Sequence, residues 1–175
     1  MALIIANSIL NSTEEKIKEY YRNLDEIERL EHRSMLLDKQ KTDIEEDIHN
    51  SNISLQYDLK GIDYEGVRIQ TSNTGSQQDK AIDKAFETLE KQLEEINYEI
   101  LETKILKRRL ERKNNDIAFI LNKLNDSAKR FVIMRYREGK SYRTISDTLH
   151  SSETSIRRFK KDILIDVSKW ICAFF

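Results

Sequence analysis

Between Ile82 and Leu124 two series of side chains repeat every seven residues without losing register. One runs Ile82, Leu89, Ile96, Thr103, Leu110, Ile117, Leu124; the other runs Phe86, Leu93, Ile100, Lys107, Asn114, Leu121. A seven-residue period keeps a narrow stripe on one side of an α-helix, whereas a strand alternates with period two and cannot present it. The 175 residues contain no proline and only four glycines, so nothing breaks the run. The spacing predicts a coiled-coil helix over 79–124. Thr103, Lys107 and Asn114 interrupt the apolar stripe, either as register-setting positions or as a stretch open to solvent.

The N-terminal segment, residues 1–50, is helical by the same argument. Ile17, Tyr20, Leu24 and Ile27, then Leu30, Leu37, Ile44 and Ile48, recur at helical spacing. Their register changes near Leu30, which predicts one helix that bends or two that abut. Ser12 or Thr13, followed by Glu15 and Lys16, offers a helix start. The opening MALIIANSIL is apolar, but it lacks a basic flank and is far shorter than the roughly 20 residues of a membrane span. It is expected to pack on the body, with no membrane partner. Two successive amphipathic helices fold back as an antiparallel hairpin or pair with a second copy. Residues 51–78, with three of the four glycines, form the linker between them, and YEGVRIQTS within it could make a short strand.

The net charge of −1 conceals a division. Residues 1–103 hold 12 Lys+Arg against 23 Asp+Glu, a balance of −11; residues 104–175 hold 18 against 8, a balance of +10. Such asymmetry points to a basic end that meets a polyanion.

From residue 125 to 175 the pattern shortens into three helices. NDSAKRFVIMRYREG reads as a helix capped by Asp126 or Ser127 and ended at Gly139, SYRTISDTL as a second opened by Ser141, and SETSIRRFKKDILIDVSKW as a third capped by Ser152. Ile145, Leu149, Ile156 and Phe159 stand where two helices of a helix-turn-helix face each other, and Ser146 is small where they cross. His150 occupies the turn, where a left-handed backbone usually favours glycine. At 100° per residue, Ile156, Phe159, Ile163, Val167 and Trp170 form one stripe of the third helix, and Thr154, Arg157, Arg158 and Lys161 project from the opposite side. Arginine, threonine and lysine are residues that read base edges in the major groove. Ser155 and Lys160, with Lys140 and Arg143, are placed for phosphates. Arg108, Arg109 and Arg112 avoid both heptad series; they are candidates for extra phosphate contacts, for a solvated face, or for pairing with the acidic first helix.

The triplet Gly139-Lys140-Ser141 is not the end of a phosphate-binding loop. Met134 stands where the first glycine of that loop belongs, and a helix precedes it instead of a strand. His32, His49 and His150 are too scattered for a zinc site, and Cys172 in WICAFF is a packing residue. No nucleophile, base or cofactor pattern appears, so no enzyme, cofactor or metal is expected.

The stretch LNDSAKRFVIMRYREGKSYRTISDTLHSSETSIRRFKKDIL resembles region 4 of bacterial sigma factors. It has the RY-x-EG-x-SY turn into the first motif helix and the S-x-x-[ST]-[IV]-R recognition helix. With the helical N-terminal part and the GVRIQTSNTGS linker, the layout is similar to phage and prophage transcriptional regulators of the ArpU and RinA type. That resemblance implies a mainly α protein, with a long N-terminal helical hairpin or coiled coil and a C-terminal helix-turn-helix. It implies a sequence-specific, double-stranded DNA-binding regulator, an activator of phage or prophage genes in the bacterial cytoplasm, working as a homo-oligomer (a dimer favoured) and contacting RNA polymerase. The alternatives are a DNA-packaging subunit of small-terminase type and a coiled-coil protein-interaction adaptor.

Overall fold

The computed structural model describes the backbone of residues 2–50 and 77–174, and side chains over 8–50, at 80 and over 82–171. The linker at 51–78 lies almost wholly outside the described residues, as does its strand expectation. So do the packing expected of the first seven residues and of Cys172.

The protein is mainly α. Helices α1 (Ala2–Asn50) and α2 (Gln77–Asn122) are long; α3 (Asp126–Val132) runs into a π-helical turn (Ile133–Arg137), and α4 (Tyr142–Thr148) and α5 (Glu153–Phe174) follow. No strand occurs among the described residues. No described helix is long and apolar enough to cross a membrane.

Chain contacts separate two compact units, Met1–Glu31 with Ile105–Phe175, and His32–Lys104. In the first, the early part of α1 runs antiparallel to the late part of α2: Asn23 meets Asn114, and Glu31 meets Lys107. Helices α3 to α5 cover this pair, and one core results, built on Ile17, Tyr21, Ile120, Phe131, Ile145, Ile156 and Val167. In the second unit the described residues belong to the two long helices. Leu37, Ile100 and Thr103 are buried there, while Ile44, Leu89, Leu93 and Ile96 stay half-exposed.

Every member of both heptad series is buried or half-buried. Asn114, 5 % exposed, resolves the choice its polarity left open. Its side chain accepts from Asn23 Nδ2 at 2.9 Å and donates to the Tyr20 carbonyl at 3.2 Å, which favours one register of α1 against α2. Lys107 keeps a wetter position, its ammonium 2.8 Å from Glu31 and 3.7 Å from Glu111. That contact holds its pKa above the ordinary lysine value.

Two local expectations are corrected and one open alternative is decided. Helix α1 starts at Ala2, so Thr13 is no start; it is buried mid-helix, and its hydroxyl donates to the Ile9 carbonyl four residues back. The segment from Ala2 to Asn50 is a single helix despite the register change. That change falls at Leu30, beside the boundary where one unit gives way to the next. The cap of α3 is Asn125, whose Oδ1 accepts from the Ala128 N–H at 2.8 Å, leaving Asp126 in the first turn.

Candidate nucleic-acid interface

The turn into α4 is built by backbone chemistry. The π-helical turn ends as the Lys140 N–H donates to the Met134 carbonyl at 2.9 Å, a six-residue closure that needs a left-handed residue. Gly139 supplies it at φ +66°, with open space where a Cβ would stand. Ser141 then caps α4, accepting from the Thr144 N–H at 3.2 Å. Between α4 and α5, His150 adopts φ +50°, the left-handed turn expected of it. Ser152 caps α5 through the Ser155 N–H, with Glu153 in the first turn, where the helix dipole favours an anion.

The two helices meet through the expected quartet: Ile145 and Ile156 are buried, Leu149 and Phe159 half-buried. Ser146 is 5 % exposed at the crossing, and its hydroxyl is satisfied by the Arg143 carbonyl at 2.7 Å. Phe131 of α3 closes the stack edge-on against Phe159, ring centroids 5.8 Å apart.

The buried face of α5 differs from the expected stripe. Leu164 and Ile171 are buried with Ile156, Ile163 and Val167, whereas Trp170 is 44 % exposed. Glu14 of α1 meets Lys160 on the same side of α5 as Leu164 and Ile171, so the helix has neighbours beyond α4. Lys160 is displaced from its expected phosphate role for the same reason. Its ammonium lies 2.7 Å from Glu14 Oε2, both side chains largely covered, and the Tyr136 hydroxyl donates to the other oxygen of Glu14 at 3.3 Å. Burial first, then the Glu14 charge, drives the Tyr136 pKa far above the ordinary tyrosine value.

The remaining candidates stay in solvent. Thr154, Arg157, Arg158 and Lys161 are exposed along α5, and Arg158 and Lys161 have no ion pair among the described residues. Arg143 is exposed at the start of α4; Lys140 is engaged by Glu138 at 2.6 Å. The Ser155 hydroxyl is 2.9 Å from that of Ser152 and so belongs to the cap. On α2, Arg108, Arg109 and Arg112 are exposed without an ion pair among the described residues; the expected pairing with acidic α1 is made by Lys107 instead.

One contact of this surface has no signal in the sequence. The guanidiniums of Arg135 and Arg157 both lie over the ring of Tyr142, 4.4 and 4.7 Å from its centroid. Arg135 Nη1 also donates to the Lys140 carbonyl at 2.8 Å. Arg135 reaches the ring only because the chain reverses at Gly139, which no helical spacing reports.

No cluster of three histidine, cysteine or acidic side chains suited to a metal occurs among the described residues. No family model, curated protein or solved structure matches this chain.

Proposed function

We propose that the protein binds double-stranded DNA sequence-specifically through α5 and regulates transcription, as an activator of phage or prophage genes in the bacterial cytoplasm. The observation that carries this is the outer face of α5. Thr154, Arg158 and Lys161 stand exposed there, the two cations without an ion pair among the described residues, on a helix whose opposite face joins the buried core. Cations left unpaired on a rigid helix fit the demands of a major groove: phosphate attraction supplies affinity, and pre-placed donors distinguish bases. Arg143, in the first turn of α4, adds a contact to the DNA backbone. Assembly as a dimer would require two half-sites about one or two helical turns apart, and contact with RNA polymerase would account for activation.

The test is titration of labelled fragments from the surrounding genome, with excess random duplex and varied salt. Binding to one fragment should resist the competitor, weaken as salt rises, and be lost in Arg158→Ala/Lys161→Ala while the melting temperature holds. Equal, weak binding to every fragment would sink the proposal.

A further inference from the structure

The ring of Tyr142 carries two guanidiniums at once, and they are not equivalent. That of Arg135 is already committed, since its Nη1 donates to the Lys140 carbonyl at 2.8 Å. That of Arg157 pairs, among the described residues, with Glu153, at 3.9 Å between exposed side chains, a distance and setting in which an ion pair fixes little. What orients Arg157 is therefore the ring, with 4.7 Å from guanidinium carbon to centroid. Stacking occupies the flat face of a guanidinium and leaves its N–H donors, which all lie in the plane, free to reach a ligand at the edge. Two cations on one ring also repel each other, and a nearby anion relieves that repulsion.

We propose that Tyr142, the first residue of α4, is a positioning residue for DNA recognition: its ring holds the Arg157 side chain in place before the duplex arrives. This rests on the DNA-binding function proposed above. Arg158 and Lys161 have no such platform among the described residues, so the duplex is left to order them. Pre-orienting Arg157 removes part of the entropy lost on binding, and the gain appears as affinity.

Three variants and one measurement on the free protein test it. Tyr142→Phe keeps the ring and should bind like wild type. Tyr142→Leu keeps apolar volume without the ring and should weaken operator binding about twofold to fivefold, the range of an exposed cation–π contact. In an Arg157→Ala background the same change should leave binding unchanged, because the group it positions is gone. In the free protein the Arg157 δ-methylene protons should be shifted upfield by the ring current, and the shift should vanish in Tyr142→Leu. Additive losses in the double variant, a Phe variant as weak as Leu, or the absence of the shift would overturn the positioning role while leaving DNA binding intact. A wild-type protein that shows the shift but binds no fragment would overturn DNA binding itself, and the positioning role with it.

Discussion

The same two helices make a thick core in one unit and a thin seam in the other. In the unit of Met1–Glu31 and Ile105–Phe175, Ile17 and Ile120 are fully excluded from water because α3 to α5 close over them. In His32–Lys104, where the described residues are those of two helices, Leu37, Ile100 and Thr103 are buried and their heptad neighbours stay half-wet. A two-helix ribbon has one shared surface, so a side chain on the stripe is covered by its partner but not from the flanks. Heptad spacing therefore decides which way a residue faces. How deeply it is buried is decided by whether a third layer exists.

The sharpest challenge to this contrast is a pair of truncations. Phe131→Ala, at a site with no exposure, should cost about 3–5 kcal/mol in urea unfolding, whereas Leu93→Ala in the seam should cost about 1–2 kcal/mol. Equal costs would erase the distinction. Alkaline unfolding should act on the first unit next. Burial pushes the Tyr21 hydroxyl up to about 12, above the ordinary tyrosine value. A raised folded-state pKa contributes stability that is present below the unfolded value near pH 10 and lost as pH rises through 12, on the order of 3 kcal/mol. Absorbance at 295 nm should show Tyr21 ionising together with unfolding, after exposed Tyr98. Asn114→Ala, which strands Asn23 and frees the Tyr20 carbonyl, should cost about 1–3 kcal/mol by thermal melting. Smallest is Arg33→Ala, removing the exposed bridge to Glu99 of 3.0 Å in the seam; below about 1 kcal/mol is expected, and less at high salt.

Much of this was readable in the sequence where one physical rule acts alone. The heptad series placed every stripe residue of α2 inward, and the facing quartet Ile145, Leu149, Ile156 and Phe159 stood at the positions two crossing helices must fill. The caps Ser141 and Ser152 followed from hydroxyls preceding an apolar run. Failures came where rules compete or where contacts are remote. Asn125, Asp126 and Ser127 are three adjacent good caps, and composition cannot choose among them. Leu164 and Trp170 lie on opposite flanks of one stripe, and helical spacing alone does not say which flank the rest of the fold covers. Lys160 carries the charge of a phosphate contact, yet Glu14, 146 positions earlier, claims it. The sharing of Tyr142 by Arg135 and Arg157 depends on a chain reversal that leaves no periodic trace.

The core of the first unit also sets a schedule for its formation. Ile17 and Ile171 belong to one cluster although 154 positions separate them. On the ribosome, α1 can pair with α2 early, but the cluster it belongs to stays incomplete until residues near the end of α5 emerge. Closing so large a loop delays the reward of contact, so folding of this unit should be slow relative to the local pairing of helices near a turn. A translation product stopped before α5 would lack Ile156, Ile163, Leu164 and Val167 from this cluster and leave its other apolar side chains open, a substrate for chaperones and proteases.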